Sequence, residues 1–131
     1  MRRLAFIVGL ALSASPSSAQ PAPEWRTAPE RDVLLRPWAI EPGTIRLEAG
    51  RPVRLRFVNQ GQATHSFSAS EFFRAARLRA RDADIASSGR FSLAPGERRT
   101  IALVPTAGRY SAGSSNLVQW MLGLRGEIVV D

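Results

Sequence analysis

Residues 108–130 read GRYSAGSSNLVQWMLGLRGEIVV. Tyr110 to Ser114 is a short strand, and Glu127 to Val130 is a second, strongly apolar one. Between them lies a loop with Gly123 and Gly126 near its end. That loop holds Leu117, Val118, Trp120, Met121, Leu122 and Leu124. Connecting segments run over the surface, so this much apolar material in one of them calls for a reason. Two readings are open. The side chains fill an interior space, or they present an apolar patch to a partner protein, since contiguous exposed apolar area marks interaction sites.

Upstream, the chain continues in the same idiom. Val53, Leu55 and Phe57 alternate with Arg54, Arg56 and Val58, and Ile45 and Leu47 alternate with Arg46 and Glu48. A period of two is the signature of a half-buried strand. Val33 to Ile40 is expected as an edge strand, because Pro37 removes a ladder donor in its middle. Phe91 and Leu93 mark a short strand, and Thr100 to Val104 another with Ile101 and Leu103 inward. Turns follow at Glu41-Pro42-Gly43-Thr44, Ala49-Gly50-Arg51-Pro52, Ala94-Pro95-Gly96-Glu97 and Pro105 to Gly108. One segment changes period. Phe72, Phe73, Ala75, Ala76 and Leu78 recur at helical spacing, and Ser68 to Glu71 has capping-box spacing. Asp82 to Gly89 reads as loop. The fold class expected is an all-β Greek-key sandwich with one short inserted helix.

The N-terminus is of another kind. Met1-Arg2-Arg3 is a basic n-region, Leu4 to Leu12 an apolar h-region, and Ser13 to Ala19 a small-residue c-region. This pattern is expected to be a signal peptide, residues 1–19, cleaved after Ala19, which sends the chain to the periplasm or outside the cell. The apolar run falls short of the ~20 residues of a spanning helix, and no integral membrane segment is expected once it is removed. Residues 20–32, QPAPEWRTAPERD, are Pro-rich and charged and read as a linker, and residues 33–131 as the domain. The chain has no Cys, which excludes disulfides, a lipoprotein anchor and any thiolate metal site. Formal net charge is +7, and every one of the 18 basic residues is Arg. A basic exported domain suits an acidic protein or an anionic surface, whereas a nucleic-acid partner is not expected, since no binding motif is present. Arg46, Arg54 and Arg56 are expected on the outward face of neighbouring strands, solvated and salted by Glu48.

These pieces together resemble the cupredoxins, the small blue-copper β-sandwiches. The resemblance rests on Ile40-Glu41-Pro42-Gly43-Thr44-Ile45, the Ala49-Gly50 turn, Arg54-Leu55-Arg56-Phe57-Val58-Asn59, Thr64-His65-Ser66-Phe67, Pro95-Gly96-Glu97 and Ala107-Gly108-Arg109-Tyr110. The Glu71-Phe72-Phe73 helix is similar to that of exported bacterial cupredoxin-like proteins. In the family a type 1 copper is held by two His and a Cys thiolate, with a weak axial Met. The resemblance places the first His at His65. It puts Ser114 where the Cys is expected, Gln119 where the second His is expected and Leu124 where the Met is expected. Only His65 of the ligand set remains.

His65 is the only histidine, and Met121 is the only Met beyond Met1. A Cu(I) site built from these two is one alternative, and a hydrogen-bonded histidine at a strand end is the plainer one. His65 and Ser114 also suggest a base and a nucleophile, but no orienting carboxylate or oxyanion site is identifiable. The sequence therefore implies a non-enzymatic exported domain with no cofactor, acting through contact with a periplasmic protein partner. Leu117, Trp120, Met121 and Leu124 are the docking residues. The alternative is a protein binding copper or another metal through His65 in a non-blue site.

Overall fold

A computed structural model of the chain describes residues 21–114, 121 and 124–131, with Ala5 and Gly9. Apart from Ala5 and Gly9, the expected signal peptide and its cleavage point lie outside the described residues, as do Leu117, Gln119 and Trp120. Among the described residues the strands are β1 (Glu30–Arg36), β2 (Ala39–Glu41), β3 (Thr44–Leu47), β4 (Val53–Asn59), β5 (His65–Ser68), β6 (Arg77–Leu78), β7 (Arg90–Leu93), β8 (Arg98–Val104), β9 (Gly108–Gly113) and β10 (Arg125–Val130). Two short helices, α1 (Ser70–Ala75) and α2 (Asp84–Ser88), and a 3-10 turn at Ala80–Asp82 lie between β5 and β7.

The strands form two mixed sheets. One runs β2-β1-β4-β8-β6 and the other β3-β10-β9-β5-β7. The pairs β1–β4 and β3–β10 are parallel. The chain crosses from the first sheet to the second between β2 and β3, at a cis Glu41–Pro42 bond. Alternation does what the sequence implies. Val53, Leu55, Phe57 and Asn59 are buried along β4 while Arg54, Arg56 and Val58 are half-buried on the other face. Phe57, Phe67, Phe73 and Phe91 meet between the sheets, with Phe57–Phe67 and Phe57–Phe91 centroids 4.7 and 5.0 Å apart. Tilted and edge-on ring pairs of this kind add to the burial of their large apolar area.

Several expectations need correction. Val33 to Ile40 is not one edge strand: Pro37 and Trp38 form a turn, and β1 and β2 pair antiparallel across it. Only β2 is at the edge, and β1 is interior to its sheet. Pro37 breaks the strand outright, because a hairpin turn needs no ladder donor there. The first strand also starts at Glu30, inside the expected linker, because Glu30 to Asp32 pair with Arg54 to Arg56 on β4. The capping box does not form. Ser68 is held in β5 by register with Arg90 and Gly113, so α1 starts later, with Ala69 as its cap and no side-chain cap bond. The helix ends at Ala75, and Leu78 belongs to β6. The Asp82–Gly89 loop contains α2. Arg46 lies on β3, in the other sheet from Arg54 and Arg56 on β4, so the three do not share one face of neighbouring strands. Arg54 and Arg56 face Glu30 and Asp32, and Glu48 pairs with Arg51.

Beyond the two-residue β6, side chains close the edge of β8. The Arg79 amide donates to Ala102 O at 2.9 Å, the Ala102 amide donates to Asp82 Oδ2 at 3.1 Å, and the Arg79 guanidinium donates to Thr100 O at 3.2 Å. Arg79 and Asp82 are themselves paired at 2.9 Å, largely out of solvent.

Candidate functional site

His65 opens β5, and the alternation of that strand turns His65 and Phe67 inward and Ser66 and Ser68 outward. The imidazole is 3% exposed. Its Nδ1 lies 2.8 Å from Ser66 O, and its buried Nε2 has no hydrogen-bond partner among the described residues. A carbonyl can only accept, so Nδ1 carries the proton and Nε2 presents a lone pair to the interior.

The backbone that delivers His65 is pinned by Asn59, which has no exposed surface. Its Nδ2 donates to Ala63 O at 2.9 Å and to Leu93 O at 3.0 Å, and its Oδ1 accepts from the Gly61 amide at 2.9 Å. Its own amide and carbonyl bond Glu97 O and the Gly96 amide. One side chain thereby ties the 60–64 loop to the β7–β8 turn. Nothing in the local pattern singles it out beyond a polar residue closing the inward series of β4.

Ser114 follows β9 and is buried. Its amide donates to Leu124 O at 2.8 Å, and its Oγ lies 3.0 Å from Ser66 Oγ. Neither ring nitrogen of His65 bonds to it, so the Ser–His pair considered from sequence is not assembled. Leu124 has no exposed surface. It fills the interior, and a docking role for its side chain is set aside. Met121 is 68% exposed, so it does not share the enclosed setting of His65.

The sequence reading missed Trp38. It is 65% exposed, at the turn between β1 and β2. β1 runs parallel to β4 and ends beside Asn59, where the Gln60 amide donates to Leu35 O. Trp38 therefore sits at the end of the sandwich where β5 starts with His65, β9 ends and β10 begins. Its exposure was hidden in the sequence because a turn interrupts what looks like one apolar run.

On the outer face of the first sheet, Arg56 meets Asp32 through two hydrogen bonds of 2.8 and 2.9 Å. That bidentate contact holds the Asp32 carboxyl below its ordinary range and raises the Arg56 guanidinium.

No protein-family model matches this sequence, and no curated protein does. Solved structures do. Auracyanin B superposes over 79% of this chain and 89% of its own, with a TM-score of 0.56 and 19% identity. Auracyanin from Roseiflexus castenholzii gives a TM-score of 0.57 at 15% identity, over 79% of this chain and 98% of its own. The fold is cupredoxin-like. A multicopper oxidase from Campylobacter jejuni gives a TM-score of 0.62 at 11% identity, over 85% of this chain and 31% of its own.

Within this cupredoxin-like frame the donor set does not fit type 1 copper. The chain holds no Cys. Ser114 is hydrogen-bonded to Ser66, Leu124 is a buried hydrocarbon, and the His65 Nδ1 is taken by a carbonyl. No group of three or more His, Cys, Asp or Glu that could hold a metal occurs among the described residues.

Proposed function

We propose that this cupredoxin-like domain is not an enzyme and acts by protein contact without a type 1 centre, through the sandwich end that presents Trp38 and Met121. The observation that carries this reading is their exposure: among the described residues they are the large hydrophobics left in solvent. Tryptophan is the residue most enriched at binding hot spots. Met is over-used at adaptable binding surfaces. The apolar sequence around Met121, which includes Leu117 and Trp120, suits a contact surface. The basic and apolar N-terminal pattern supports export, and so a partner in the periplasm.

The test is photocrosslinking in cells from a reactive residue placed at position 38, with position 109 at the opposite end of β9 as control. A discrete adduct from 38 that is absent from 109 is expected. Trp38→Ala should lose that partner in a pull-down while the melting temperature holds. Equal labelling from both positions would sink the reading.

A second reading is favoured by the lone pair on His65 Nε2. Buried and unpartnered, it is a donor for a soft cation such as Cu(I). A ligand that binds only the folded state raises its stability. Copper-dependent thermal stabilisation should then vanish in His65→Gln, and an identical shift in the variant would exclude His65 as a ligand.

A further inference from the structure

One side of the sandwich is open along two strands at once. β3 is an outer strand of its sheet. Gly43 O and Leu47 O accept from β10 and its continuation, at Glu127 and Asp131. Main-chain groups alternate in direction along a strand, so those of Thr44 and Arg46 point the other way, where no strand lies opposite among the described residues. β1 is also bare over its first residues. Pro29 O and Leu35 O accept from the β4 side, at Arg54 and Gln60, and β2 covers β1 only from Leu34 onward. The main-chain groups of Glu30 and Asp32 therefore face outward, with no strand against them among the described residues. Between the two edges is a cleft of about 590 Å³ lined by Glu30, Asp32, Thr44 and Arg46, with Arg31 and Pro42.

The slot is lined by charges of both signs, but its acids are already paired. Glu30 and Asp32 are matched by Arg54 and Arg56 on the outer face. Arg31 and Arg46 are exposed and have no carboxylate within ion-pair distance among the described residues. Both also line an adjoining cleft of about 480 Å³, where Glu48 is already paired with Arg51 and Asp131 is the remaining acid. We propose that the slot takes an extended, acidic segment of a partner protein, added as a strand to the free edge of β3 and held by Arg31 and Arg46. Strand addition supplies main-chain hydrogen bonds that need no particular side chains, and the two guanidiniums select for carboxylates. The surface is separate from the Trp38 end, so its failure leaves that reading untouched.

The test titrates the full chain into a short fluorescein-labelled peptide of alternating Glu and Thr, followed by anisotropy. The control is the same composition broken by a central proline. Saturable binding of the unbroken peptide is expected, with slowed amide exchange at Thr44 and Arg46. The double variant Arg31→Glu/Arg46→Glu should weaken it roughly tenfold, with the thermal melt unchanged because neither side chain has a partner to lose. Should that variant fold poorly, Arg31→Gln/Arg46→Gln gives the same readout. Equal binding of the proline peptide would reduce the effect to bulk charge and overturn the proposal. So would an absence of binding, or a dimer in sedimentation that the peptide does not displace, which would give the edge to a second copy of this chain.

Discussion

Asn59 shows how much one buried amide can hold. Asn59→Ala strips partners from Ala63 O, Leu93 O and the Gly61 amide together. Unsatisfied buried groups cost about 1–3 kcal/mol each where water cannot replace the lost partner. A loss of about 2–4 kcal/mol in denaturant unfolding is expected, with larger exchange rates in the 60–64 loop than elsewhere. Asp32 gives a prediction with a sign in pH. Its carboxyl is held below the ordinary value by the Arg56 hydrogen bond, so the folded state favours the charged form. That contribution is present above the unfolded carboxylate value of about 4 and is lost as pH falls through the folded one. Wild type and Asp32→Asn should therefore differ in stability at neutral pH and converge in acid, and a gap that persists at low pH would contradict the pairing. Neither residue was legible in advance. Asn59 acts through partners as far away as Leu93, and Asp32 through a strand that looked like linker. Local alternation, by contrast, needs no distant partner, which is why Ile45, Leu47, Val53, Leu55 and Phe57 were readable as inward.

At the scale of elements, the closing of the β8 edge is the feature most open to test. Asp82→Ala would remove the acceptor of the Ala102 amide and leave Arg79 buried without its carboxylate. Breaking one partner of a buried pair costs about 3–5 kcal/mol. The bared edge is also a template for another chain. Lower stability together with concentration-dependent association in sedimentation is the expected outcome, and a monomer of unchanged stability would count against the closure. The helices illustrate why some elements could not be read. The Ser68–Glu71 spacing is a fair capping box taken alone, yet β5 claims Ser68 for its ladder. The stripe from Phe72 to Leu78 is likewise cut at Ala76, where the backbone turns extended to reach β6. Tertiary pairing outranks local propensity in both places. In the candidate site, the lack of any thiolate was legible, because it depends on residue identity. The hydrogen bond between Ser114 and Ser66, the isolation of His65 Nε2 among the described residues and the burial of Leu124 were not, because they depend on where the strands bring side chains.

At the scale of the whole molecule, both sheets are joined through parallel pairs between distant parts of the chain. β3 pairs with β10, setting Thr44 to Leu47 against Glu127 to Val130. A chain cut after Leu124 loses the strand between β3 and β9, and no cooperative thermal transition is expected from it. A two-state melt of the shortened chain would show that the second sheet holds without its centre. The same pairing sets an order of events during synthesis. β3 emerges early and waits, without its neighbour, until β10 has been added. Loop closure over that separation is slow, as it is for any fold dominated by distant contacts. Until β10 has been made the second sheet stays unclosed, and β3 is a bare strand that the wrong neighbour can take.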